Sequence, residues 1–542
     1  MRRRESPAIQ LDLSRPPAHP GKRMPSLKFL TMVLLSCLVF SSLLALRFAR
    51  FSRLDPGSIA LSRRAIPSHW QNPPQGDRQG MDGLLAPRDR EDRCHSRSRH
   101  HLYRQPSRFK PSKYLVSKLR QYEALHQRCA PEAEKSRQDG GGGSSCQFLV
   151  WVSYSGLGNK LVTLAATFLY ALLTDRVLLV DPGVDLEELL CEPFPGSSWL
   201  LPSSFPREWL RGLNESSQHR FGSIVRDAGK CVPDASHLIA APGKVYIHLT
   251  HTYDEQDRRF FCEGEQEFLR KVPWLFIKSN NYFVPSFYFM PTFRAELERM
   301  FPERETVFHH LGRYLLHPSN SVWARTTRYY ESYLGGAELL VGLQLRTFEG
   351  SIEAFSNQVL ECVVENKMLP NVTRDDEASR LIDGGEDRSI SVLITSLHQI
   401  YYERLRDMYV MFPTEDLSRV KVHLPSHEGV QKTDTSDHDK KALMEIFLLS
   451  FCDTLVTSPM STFGYVAQGL AGLRPRVLRR LEDDPTQPAC SSVLSVDPCF
   501  HAPPLYDCDC KGGRDPGKVL DAVKHCQDVK WGIQLVNNPS DE

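Results

Sequence analysis

The chain has 542 residues, 67 of them Lys or Arg and 65 Asp or Glu, and the resulting charge of +2 gives no electrostatic case for nucleic acid as a main partner. Its length exceeds the roughly 250 to 300 residues at which single cores stop growing, so two domains are expected. The basic excess is local.

It lies at the start, where Arg2, Arg3, Arg4, Arg15, Lys22, Arg23 and Lys28 precede FLTMVLLSCLVFSSLLAL, an uncharged apolar run over 29–46. Eighteen residues at about 1.5 Å each just span a bilayer core. A cleaved signal peptide is the alternative, but its apolar region is shorter and ends at small residues, whereas this run ends in Leu-Arg-Phe-Ala-Arg. An uncleaved anchor is therefore expected, with a cytosolic tail over 1–28, since positive flanks stay cytoplasmic. The sequons at Asn214 and Asn371 fit a lumenal location for the rest. So do thirteen cysteines outside the anchor, which suit disulfides with one thiol left over better than a zinc site.

Residues 47–111 are rich in Arg, Asp, Pro, Ser and Gly and read as a disordered, solvated stem. A helix follows in SKYLVSKLRQYEALHQRC, then a flexible GGGGSS insert, then the buried strand FLVWV at 148–152. SYSGLGNK turns that strand into the helix LVTLAATFLYALL, and VLLV ending before Asp181 completes a βαβ unit. The stretch 190–340 mixes helices with irregular segments. Strands and helices then alternate again: VGLQLRT, SVLITS, YYERLRDMYVMF, VKVHL, KKALMEIFLLSFC, TLVTS, FGYVAQGLAG and PRVLRRL. This spacing predicts a second parallel sheet, and hence an α/β chain with two Rossmann-like domains facing a cleft.

In such sheets ligands bind beyond the carboxyl ends of strands, where loops enter helices. Ser461 and Thr462 there suit either an N-cap or an anion, Gly464 allows close approach, and Phe463 and Tyr465 suit packing on a base or sugar. Gly156, Gly158 and Asn159 form a second such turn. With Asp181 further on it invites a dinucleotide reading, but Leu161 stands where the fingerprint needs a small residue, and a plain tight turn is the competing view. Arg346 near a strand's carboxyl end suits a diphosphate or a structural ion pair. Asp437-His438-Asp439 has the D-x-D form of a metal site, yet its place before a helix is explained by capping and the helix dipole. His248, His251, Asp254, Glu255 and Asp257 offer acid-base groups or a solvated charged turn.

These blocks, with CEPFPGSSWLLP, VFHHLGRYLLHPSN, STFGYVAQGLAGL and DPCFHAPPLYDC, resemble the plant xyloglucan α-1,2-fucosyltransferases, glycosyltransferase family 37. The resemblance implies a GT-B-like fold, with an acceptor-side domain over 112–340 and a GDP-fucose-binding domain over 341–542. It further implies a single-pass type II protein of the Golgi membrane, with the catalytic region lumenal. Its donor substrate would be GDP-fucose, with no other cofactor and no essential metal, and its acceptor a galactosylated cell-wall polysaccharide, fucosylated on O2 of galactose with inversion. Other Golgi glycosyltransferases are implied partners. By the same resemblance Arg346 holds the donor diphosphate, Ser461, Thr462, Phe463, Gly464 and Tyr465 line the nucleotide pocket, and Gly156, Gly158 and Asn159 lie at the cleft. Asn280 stands where the family usually has an aspartate near the acceptor. An amide orients a hydroxyl but is no general base. Lys160 for the usual arginine and Pro459-Met460 before STFGYV are further departures.

Overall fold

A computed structural model describes residues 93–103, 106–138, 145–181, 186–227, 242–347, 351–373, 388–430, 432, 435–504, 508, 517 and 520–537. The expected anchor at 29–46 and most of the stem and the glycine insert lie outside them. FLVWV forms β1 (Phe148–Val152) and VLLV forms β2 (Val177–Val180), every residue buried, as expected of strands covered on both faces. With β3 (Lys244–Leu249) and β4 (Trp274–Ser279) they make a parallel sheet of order β2-β1-β4-β3. The second sheet runs β10-β9-β8-β5-β6-β7, from β5 (Leu339–Leu345), β6 (Ser389–Ser396), β7 (Arg419–His423), β8 (Thr454–Thr457), β9 (Arg476–Leu478) and β10 (Cys490–Ser492). All its pairs are parallel except β9 with β10.

Four helices lie among the packed residues between the sheets: α1 (Leu157–Thr174), α2 (Val307–Leu315), α3 (Ser436–Leu449) and α4 (Thr462–Ala471). Their sequences are apolar on several faces because each is covered on several sides, and one hydrophobic cluster runs from Leu149 and Trp151 through α1 and α3 to Leu340 and Leu455. Helix α1 is long and apolar enough to cross a membrane, but 83% of it is buried within the protein, so its hydropathy is that of a core helix.

Two boundaries differ from those expected. The stem expected over 47–111 takes in residues 93–103, yet His95–Arg99 is a helix with Ser96 buried and bonded to the Pro318 carbonyl (2.7 Å), and Cys94 is bridged to Cys191. A disulfide across 97 positions and a buried hydroxyl outweigh the solvated composition of RDREDRCHSRSRHH. At the other end, residues beyond 496 pack back on the first half. Asp497 accepts from Tyr282 Oη (3.0 Å) and the Phe308 amide (2.9 Å), Cys508 is bridged to Cys262, and β11 (Val523–His525) pairs with β12 (Ile533–Leu535) against the shared core. Three further bridges, Cys129–Cys146, Cys362–Cys490 and Cys499–Cys526, leave Cys452 as the one free thiol among the described residues.

Candidate active site

In the second sheet the strand order reverses between β5 and β8, which places the switch point, the usual ligand crevice, beside the ends of those two strands. Arg346 is the first residue past β5. Its backbone N–H donates to Ser458 Oγ (2.7 Å), just past β8, and the Ser458 N–H donates to the Gln344 carbonyl (3.0 Å). The two strand ends are thereby locked together with the guanidinium at the crevice. Burial lowers the Arg346 pKa from its ordinary value, but a guanidinium starts so high that it remains a cation.

The first sheet has its own reversal between β1 and β4, and α1 starts there. Ser155 takes a left-handed backbone (φ 71°) to make the turn, and Gly156 is the N-cap. A Cβ on Gly158 would lie 2.7 Å from Thr462 Oγ1 and 2.8 Å from the Phe463 nitrogen, so only glycine permits the starts of α1 and α4 to meet. Thr462 Oγ1 then donates to Asn159 Oδ1 (2.8 Å), and Asn159 Nδ2 donates to the Asn280 carbonyl (2.9 Å). The two switch points face each other across these contacts.

Between them lies a cavity of about 370 Å³, lined by 155–160, 344–347, 395–398 and parts of the 426–445 segment, with Thr462 and Phe463. Arg346 and Thr462, at the start of α4, both line it, and the Ser461 side chain makes no capping bond to the first N–H groups of that helix. Glu445 of α3 lines it too, buried and bonded by Ser426 Oγ (2.6 Å), and burial pushes its pKa up to about 7. Lys160 and Asp439, both buried, face each other in the wall at 4.0 Å.

Of the residues expected at the site, Arg346, Gly156, Gly158, Asn159, Thr462 and Phe463 line this cavity. Three do not. Ser461 is buried, with its Oγ unbonded within the protein; Gly464 backs onto Gln344 and Thr457, where a Cβ would come within 2.9 Å of Gln344 Oε1. Tyr465 is buried away from the cavity, donating to Asp528 Oδ2 (2.5 Å) and lying 2.9 Å from His501 Nε2, and burial beside that carboxylate drives its pKa well up. Its expected role on a base or sugar is therefore replaced by a structural one. Asn280 adjoins the cavity through Asn159 and is bonded to His251. Asn214 and Asn371 are exposed.

The D-x-D motif occupies the first turn of α3, as the dipole argument expected. Asp437 pairs with Arg325 (2.9 Å) and Lys441 (3.1 Å), and Asp439 lies 4.0 Å from Lys160. Asp254 and Asp257 form a capping box around the short helix Glu255–Arg258, with Asp257 held by Arg220. Sequence reasoning missed Glu445. The signal was a lone carboxylate inside the apolar run ALMEIFLL, where a buried charge needs a reason.

Two α/β sheets meeting at a cleft between opposed switch points define an architecture of the GT-B-like type. A family model described as xyloglucan fucosyltransferase matches residues 62–509. Galactoside 2-alpha-L-fucosyltransferases of Arabidopsis thaliana and Pisum sativum are 47% and 46% identical over 471 residues each. Those matches cover 84% of this chain and 83% and 82% of the two relatives. The solved structure of a point mutant of Arabidopsis thaliana FUT1 in complex with GDP superposes with a TM-score of 0.76 at 46% identity, covering 84% of this chain and 99% of that one. The chain belongs to the xyloglucan fucosyltransferase family.

Proposed function

We propose that the chain transfers L-fucose from GDP-fucose to O2 of a galactose on a plant cell-wall polysaccharide such as xyloglucan, inverting the anomeric carbon. The observation that carries this reading is the lining of the cavity, which brings Arg346, beside the β5–β8 switch point, and the buried carboxyl Glu445 to one site. Guanine offers N1–H and N2–H2 side by side, and the ionised Glu445 carboxylate accepts from both. Uracil and adenine set a ring or carbonyl acceptor against it instead. The diphosphate then reaches Arg346 and the first N–H groups of α4. As the fucosyl–oxygen bond breaks, negative charge grows on the departing GDP, and these donors stabilise it in the role that a cation fills elsewhere. The galactose hydroxyl oxygen attacks from the opposite face, which gives inversion, and its proton leaves to solvent water.

The pairing of Asp437 with Arg325 and Lys441, and of Asp439 with Lys160, favours a metal-independent reaction. Undiminished turnover in a chelator checks this, and a rate restored only by a divalent ion contradicts it. The five disulfides among the described residues and the apolar run at 29–46 favour a type II Golgi protein with its catalytic region in the lumen. Fluorescent tagging with protease protection tests that topology; a catalytic region cut in sealed vesicles defeats it.

A second reading, a catalytically weak glycan-binding or scaffolding subunit of a Golgi complex, draws on Asn280, whose amide cannot take the acceptor proton. It predicts acceptor binding without turnover, and turnover gained in Asn280→Asp. Turnover by the unaltered chain excludes it.

A further inference from the structure

The carboxyl edge of the first sheet continues past the cavity as a row of polar groups that the transfer step above does not use. Because the strand order is β1-β4-β3, the segments that follow these strands and carry Asn159, in the first turn of α1, Asn280 and His251 lie side by side. Asn159 Nδ2 donates to the Asn280 carbonyl (2.9 Å). The Asn280 side-chain oxygen accepts from the His251 backbone N–H (2.9 Å) and from Asn281 Nδ2 (3.2 Å). Two donors on one atom settle which end of this amide is oxygen. Its NH2 therefore faces His251 Nδ1, at 2.8 Å.

An amide NH2 donates and does not accept, so Nδ1 offers its lone pair and the ring proton sits on Nε2. The neighbouring His248 has both ring nitrogens engaged, Nδ1 with Tyr246 Oη (2.7 Å) and Nε2 with Thr250 Oγ1 (2.9 Å), and it is buried. His251 is exposed. It is the histidine of this edge whose fixed tautomer presents an N–H donor to a ligand.

We propose that His251 is a positioning residue for the acceptor, donating Nε2–H to a hydroxyl oxygen of the galactoside lying along the row Asn159, Asn280 and His251. This rests on the fucosyltransfer reading for the identity of the acceptor. In this tautomer Nε2 has no lone pair, so His251 orients the sugar and does not take its proton. Asn280 acts through His251 by holding the tautomer.

The test is calorimetric titration of a galactosylated xyloglucan oligosaccharide into the full chain in detergent with GDP bound, with initial transfer rates measured alongside. His251→Ala is expected to weaken oligosaccharide binding and raise the acceptor KM about tenfold, the loss of one hydrogen bond, while GDP affinity stays unchanged. His251→Gln, whose side-chain N–H reaches the position of Nε2–H, is expected to recover binding to within about threefold. Equal binding and KM in His251→Ala and the unaltered chain would overturn the proposal. So would a His251→Gln that is as impaired as His251→Ala through kcat with acceptor KM unchanged, the pattern of a general base. Oligosaccharide binding that depends on His251 in a chain that transfers nothing would overturn the fucosyltransfer reading and support His251.

Discussion

Thr462 and Asn159, 303 positions apart in the chain, share a 2.8 Å hydrogen bond where the starts of two helices touch. That contact ties the starts of α1 and α4 together beside the cavity, and Gly158 makes it possible. Gly158→Ala places a methyl carbon 2.7 Å from Thr462 Oγ1 and so pushes the helix starts apart. An overpacked site of this kind costs about 1–3 kcal/mol. The expected result is a lower melting temperature together with weaker GDP binding, by calorimetry. Thr462→Ser, which keeps the hydroxyl, should bind GDP normally.

Arg346→Ala should lower kcat at least a hundredfold, on the order of 3 kcal/mol of barrier, while the protein stays folded. The fold survives because the bond to Ser458 is made by the backbone N–H of residue 346, not by its side chain. Labelled-fucose transfer and a thermal melt, measured on the same sample, check both halves.

Glu445 connects base recognition to pH. Its folded pKa of about 7 lies above its ordinary value, so between about 4.5 and 7 the folded chain holds a proton that the unfolded chain has released. Its contribution to stability therefore falls as pH rises through that window and is flat above it. Glu445→Gln, neutral throughout, should melt higher than the unaltered chain at pH 8, with the difference shrinking toward pH 5. Guanine selects the ionised form, so GDP affinity should rise from pH 6 to pH 8, and the variant should abolish that rise. It should also bind GDP and inosine diphosphate, which lacks the N2 amine, about equally.

Tyr465→Phe separates the structural role from the expected one. It removes a donor from the buried Asp528 carboxylate, which keeps its bond from the Met460 amide (3.0 Å), and costs about 1–3 kcal/mol. The melting temperature should drop while the donor KM changes less than twofold.

Much of the fold is legible in the sequence because strands buried on both faces leave unbroken runs. FLVWV and VLLV became β1 and β2 without adjustment, and TLVTS fell on β8 with one residue beyond its end. Arg346 and the glycine turn were legible for the same reason, since each directly follows such a run. Within the loop Ser461 to Tyr465, sequence shows which residue types are present but not which way they face. The helix begins at Thr462, so two positions carry Tyr465 about 200° round from Phe463, off the cavity and toward Asp528. The partner that claims it lies 63 positions away, in a segment that returns to the first half. The docking of residues 93–103 was hidden likewise, because a polar composition does not reveal that Cys94 is tied to Cys191.

The most direct measurement of the central claim is transfer of labelled fucose from GDP-fucose by the full chain in detergent to galactosylated xyloglucan, with arabinogalactan and pectic side chains in parallel. Linkage analysis of the product completes it. The account predicts fucose on O2 of galactose with an inverted anomeric centre, and no such product from Arg346→Ala. A chain that binds GDP yet fucosylates no galactose-bearing acceptor would contradict it.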